Sequence, residues 1–144
     1  MAGNTIISNH KFMKKYYLGN IEKETEENEN FRKVIWTGEH SQLVLMSLPV
    51  GCDIGVETHP HVDQFFRVES GEGKVIIDGE EMEFSDNFAF IVPAGAEHNV
   101  INTGDKELKL YTIYSPANHI DGRIHKTKEE AEGDTEDEEF GHSV

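Results

Sequence analysis

The sequence predicts an all-β domain, built as a sandwich or a closed antiparallel barrel, and three observations point to it. From Phe31 to Pro116 the chain breaks into short runs rich in Val, Ile, Leu, Phe and Tyr, separated by turn residues at the spacing of all-β domains. Asp78-Gly79 lies between "KVII" and "EEMEF", and this pair suits a two-residue hairpin whose central positions both need positive φ. No helical period interrupts the runs, which excludes the alternating strands and helices of a parallel sheet.

Taken in order, residues 1–30 form a polar N-terminal arm, in which "HKFMKKYY" suits a short helix or a segment packed on the core. The expected strands follow as "FRKVIWT", "SQLVLMSL", "IGVETH", "QFFRVES", "GKVIID", "EMEF", "FAFIVP", "HNVIN" and "ELKLYTIY". Within "GVETH", Glu57 and His59 are two apart and so share a face. Pro60 lacks an amide donor, so "PHVD" reads as a turn that resets the alternation. On the next strand Gln64, Phe66 and Val68 face one side while Phe65, Arg67 and Glu69 face the other, which lets Gln64 converge with Glu57 and His59. Asn102 to Asp105 supplies a second turn before the last long strand.

At 144 residues the chain is one ordinary domain with tails: arm 1–30, barrel 31–127 and an acidic segment 128–144. The block "EEAEGDTEDEE" has one aliphatic residue, an alanine, and is expected to be disordered. With 13 Lys and Arg against 28 Asp and Glu, the formal charge of -15 argues against nucleic acid or an anionic membrane as partner. No run is long and apolar enough for a signal segment or a bilayer span, so the expected location is the cytoplasm. Cys52 is the single cysteine, which rules out an internal disulfide and a thiolate zinc site, and it reads as a small side chain near a strand entry.

Gly51, Glu57, His59, Gln64 and Gly71 fall at the spacing of the first cupin motif, with Glu57 in the first histidine slot and Gln64 in the glutamate slot. Pro93, Gly95, His98 and Asn102 in "PAGAEHNVIN" match the second motif, with Asn87 where its opening glycine usually stands. Asparagine is the best replacement for glycine where a turn needs positive φ. The chain therefore resembles the small single-domain cupins of the group often labelled mannose-6-phosphate isomerase-like. That resemblance implies a jelly roll, or double-stranded β-helix barrel, with an N-terminal arm and a short C-terminal extension. It also implies a metal held by Glu57, His59, Gln64 and His98. Two imidazoles, a carboxylate and an amide oxygen suit zinc, iron, manganese, nickel or cobalt better than calcium.

Small cupins of this kind are usually dimers joined through sheet edges or exchanged N-terminal strands, so a homodimer and a small-molecule ligand are expected. Three activities follow from the resemblance. One is a sugar or sugar-phosphate isomerase, in which the metal polarises a carbonyl while a base moves a proton. Another is a metal-dependent dioxygenase, and the third is a binding or sensing protein without turnover. No catalytic residue beyond the ligands is assigned. His61 reads as a solvated turn histidine near the site, with a proton shuttle as the alternative, and His119 and His125 read as surface-loop residues, with a segment folded over the barrel opening as the alternative. Tyr111 and Tyr114 face opposite ways, so at most one lines the interior, and Arg67 points outward.

Overall fold

A computed structural model describes residues 15–143, and the first half of the expected arm, residues 1–14, lies outside the described residues. The elements are α1 (Ile21–Glu27), β1 (Arg32–Thr37), β2 (Gln42–Leu48), β3 (Glu57–Thr58), β4 (Asp63–Ser70), β5 (Gly73–Ile77) and β6 (Glu80–Phe84). They continue as β7 (Ala89–Val92), β8 (Glu97–Asn102), β9 (Leu108–Ser115), β10 (Ile124–His125), α2 (Lys128–Glu132) and α3 (Thr135–His142). Each of the nine predicted runs contains a strand; β10 was not foreseen.

The strands form two antiparallel sheets, one ordered β10-β1-β2-β9-β4-β7 and the other β3-β8-β5-β6. Their inner faces enclose a core that includes Val44, Met46, Phe66, Val68, Val100, Leu108, Leu110 and Tyr114. Alternation is the cause: β9 buries every second residue along its whole length, as a strand with one face on the core must. On β4 the buried set includes Gln64, Phe66 and Val68, as the reset after the "PHVD" turn requires.

Two turns show why the chain reverses where it does. Asp78 and Gly79 both have positive φ, 49° and 87°, between the paired strands β5 and β6. Asn87 sits at φ 72°, the conformation its replacement of a glycine predicts. A methyl group added at Gly79 meets no neighbour, so the only penalty for Gly79→Ala is the left-handed backbone. Urea denaturation should show that variant less stable by about 1 kcal/mol, with Gly79→Asn recovering most of the loss.

The tail departs from expectation. Residues 128–142 are not disordered but fold as α2 and α3. Thr127 caps α2 by accepting from the Glu130 amide, and Asp134 caps α3 by accepting from the Asp137 amide. Glu129, Glu130, Glu136, Asp137 and Glu138 lie in first turns, where the helix dipole favours anions. Ion-pair contacts tie the segment to the barrel: Arg123 pairs with Asp134 and Glu136, and the segment's own Lys128 pairs with Asp53. Counting the acidic block as unpartnered was the error. Among the described residues no helix is long and apolar enough to cross a membrane.

Candidate metal centre

β3 pairs with β8 so that Glu57 stands directly opposite His98, which puts both side chains on one face of the sheet. His59, two residues past Glu57, joins them. Ligand atoms of these three residues all lie within 4.8 Å of one another. The His59 and His98 ring centroids are 5.5 Å apart.

Each group is presented as a donor. His98 gives its Nδ1–H to the Ala96 carbonyl at 3.1 Å, which leaves Nε2 with a free lone pair. Burial holds its pKa below the usual histidine value, so the neutral ring dominates at pH 7. His59 Nε2 is 3.2 Å from Glu57 Oε1, yet too poorly aimed to hydrogen-bond, and that nitrogen stays buried without a partner. Burial pushes the Glu57 carboxyl up, but the combined pull of His59, Arg32 and His119 outweighs it and holds the carboxyl below its ordinary value. Its side chain is 35% exposed, opening toward a cavity.

Gln64 comes from the opposite sheet and is only 2% exposed. Its register partner on β9 is Tyr114, whose ring lies 6.0 Å from that of His59. Its next inward neighbour on β4 is Phe66, whose ring lies 6.4 Å from that of His98. The Thr112 hydroxyl spends its proton on the Phe65 carbonyl at 2.8 Å and accepts from Gln64 Nε2 at 3.0 Å. This fixes the amide, and Oε1 is left buried with no hydrogen-bond partner. A buried acceptor without a donor is costly, and Gln64 Oε1 and His59 Nε2 are each left as such an atom, which a cation would satisfy.

A cavity of about 640 Å³ opens beside Glu57 and His59 and is lined also by Arg32, His61, His119 and Lys128, whereas His98 and Gln64 lie behind its wall and do not line it. His61 is exposed at its mouth, as a turn histidine should be. Arg67 does point outward, toward Glu69 and Asn87.

His119 and His125 correct the surface-loop reading, because both are buried. His119 donates Nδ1–H to Asp137 on α3 at 2.7 Å and accepts the Tyr114 hydroxyl proton at Nε2, 3.1 Å away. His125 binds Asp134 through Nε2 at 2.8 Å. His125, Asp134 and Asp137 also cluster closely enough for a cation, but Arg123 already pairs with Asp134 at 2.8 Å and His119 already donates a hydrogen bond to Asp137. Arg32 and Asp137 are the cavity residues that sequence reasoning missed, while His119 follows the alternative of a segment folded over the barrel opening. The signal available was Thr127-x-x-Glu130, a helix start that would dock the tail.

Burial and the nearby Arg32 charge push the His119 pKa down to about 4 from 6.5, against the pull of Asp137. An unfolded chain protonates this imidazole near pH 6.5, whereas the folded chain resists until about 4. Between those values the unfolded state binds more protons, so stability is full above 6.5 and falls as the pH drops toward 4. The loss is on the order of 3 kcal/mol. Urea melts at pH 7 and pH 4.5 should show it, and His119→Asn should flatten that part of the slope.

Residues 44–114 match the family model described as a cupin domain. The uncharacterized protein YrkC of Bacillus subtilis (strain 168) is 49% identical over 123 residues, covering 81% of this chain and 66% of YrkC. The chain thus spans just under two thirds of that relative's length. The uncharacterized protein L612 of Acanthamoeba polyphaga mimivirus is 42% identical over 113 residues, covering 75% of this chain and 70% of L612. The crystal structure of BH2720 from Bacillus halodurans superposes with a TM-score of 0.81 at 48% identity, covering 82% of this chain and 94% of that one.

Proposed function

The chain belongs to the cupin domain family, with an all-β jelly-roll fold, and from that premise we propose that it holds one divalent transition metal through Glu57, His59, His98 and Gln64 and acts with it on a small molecule. The observation that carries this reading is the Gln64 amide, turned by Thr112 so that its oxygen lies buried without a donor. Zinc, iron, manganese, nickel and cobalt all suit such a set. When bound, the metal supplies Lewis acidity and open positions for a substrate oxygen.

The rest of the chemistry belongs to the chain. β3 and β8 fix Glu57 against His98, the Ala96 carbonyl sets the His98 tautomer, and Thr112 aims Gln64. His119 has both ring nitrogens engaged and therefore positions the wall instead of moving protons. His61, exposed at the cavity mouth, is the group placed to carry a proton to or from a bound substrate. This supports the isomerase-like reading, in which a proton moves between carbons beside a polarised carbonyl. A dioxygenase is the second reading, favoured by the two imidazoles and one carboxylate, a set that suits oxygen-activating iron.

The proposed assembly is a homodimer through a sheet edge; β7 is an edge strand and exposes Ile91. Two assays test the activity on protein loaded with iron, manganese or zinc. Interconversion of sugars or sugar phosphates supports the first reading, and oxygen uptake with small diketones or catechols supports the second. Saturable ligand binding with no turnover in either assay would overturn the catalytic reading and leave a binding protein.

A further inference from the structure

Arg32 is buried at the cavity wall and, among the described residues, no carboxylate forms a salt bridge with it, although Glu57 and Asp137 lie near enough to feel its charge. It is 5% exposed and lies on the inner face of β1, two residues before the core residue Val34. Its only hydrogen bond among the described residues is a long one, from Nη1 to His125 Nδ1 at 3.4 Å. His125 spends Nε2–H on Asp134, which leaves Nδ1 as the acceptor. Arg32 Nε is buried with no partner, and the guanidinium carbon stands 5.3 Å from the centre of the Phe31 ring. Residues 1–14 carry no Asp or Glu that would neutralise it.

Asp137, Asp134 and Glu57 each have another contact, whereas Glu132 and Glu138, which also line the cavity, are exposed. Asp137 accepts from His119 and from the Ile120 amide. Asp134 holds Arg123 and His125, and Glu57 faces His59. A buried guanidinium left unpaired costs several kcal/mol, which a bound anion would recover. Lys128, the other cation of the cavity, is tied to Asp53 at 2.6 Å. Among the described residues of the cavity, one cation without a salt bridge suits a single negative charge, and the planar fork of a guanidinium matches a carboxylate through two parallel N–H bonds. A phosphate dianion would ask for more donors than remain.

We infer that Arg32 is the anion receptor of the cavity and that the small molecule taken by this site is a carboxylic acid, held by its carboxylate on Arg32 with a second oxygen directed at the Glu57, His59 and His98 group. The substrate class rests on the metal-site reading above, whereas the anion receptor does not. A divalent cation on Glu57 would add to the attraction for an anion.

Calorimetric titration of the full chain tests this, in chelator-treated and in zinc-loaded form, with pyruvate, lactate, lactamide and inorganic phosphate as probes. Pyruvate and lactate should bind, lactamide and phosphate should bind more weakly, and Arg32→Met should lower carboxylate affinity by about thirtyfold or more. Arg32→Lys should keep part of the binding, because charge remains while the fork is lost. Zinc uptake is measured in the same samples. Arg32-dependent carboxylate binding in a protein that takes up no zinc would retain the receptor and overturn the metal reading. Zinc uptake without carboxylate binding would do the reverse. Equal affinity for lactate and lactamide overturns the inference on the wild-type protein alone, even if Arg32→Met fails to fold. So does phosphate binding tighter than pyruvate, or undiminished binding in a folded Arg32→Met protein.

Discussion

Replacing Glu57 and His98 together with alanine is expected to lower the affinity for zinc or manganese by at least a hundredfold. The pair is set face to face by the β3–β8 register, and together they supply the proposed centre's one anionic donor and the imidazole whose tautomer is fixed. Changes in the groups that merely orient ligands typically cost tenfold to a hundredfold, so loss of two direct donors should cost more. Calorimetry on tag-free protein measures the change. Gln64→Leu should have a smaller effect, about tenfold, because a neutral amide oxygen is a weaker donor than a carboxylate. It removes a buried unsatisfied acceptor, so the same substitution should leave the metal-free protein as stable as wild type or more so. Unchanged affinity in the double variant would place the metal elsewhere or nowhere.

The second large effect is expected at Asp137. Its two oxygens accept from His119 Nδ1 and from the Ile120 amide, both at 2.7 Å, and these contacts hold α3 against the loop after β9. Asp137→Ala leaves the buried His119 Nδ1–H and the part-buried Ile120 amide without a partner. The expected loss is about 3–5 kcal/mol, a fall in melting midpoint on the order of 10 °C. Asp137→Asn keeps the shape and one acceptor and should lose roughly half as much. A change below about 1 kcal/mol in Asp137→Ala would mean that α3 is not docked as described.

What the sequence revealed follows from the range of the interactions involved. The strands were legible because period-two burial is a local property, visible in "QFFRVES" and "ELKLYTIY" without any partner. Glu57, His59 and His98 were legible through motif spacing, and Asn87 through the backbone conformation its position demanded. Arg32 was not, because its one hydrogen bond among the described residues is to His125, far along the chain, and nothing around "FRKVIW" marks an inward-facing cation. The acidic tail was misread for a related reason. Its composition suggested a solvated segment, but Asp134 and Asp137 are matched by His119, Arg123 and His125, and their pairing appears only once the chain has folded. The capping residues Thr127 and Asp134 were the local evidence for helices, and charge density masked them.

Anomalous diffraction from a crystal of the tag-free protein soaked in manganese or zinc tests the central claim most directly. One strong peak is predicted between the two sheets, within coordination distance of Glu57, His59 Nε2, His98 Nε2 and Gln64 Oε1. A map with no peak there after soaking, or a peak that Gln64 and Glu57 do not reach, would contradict it.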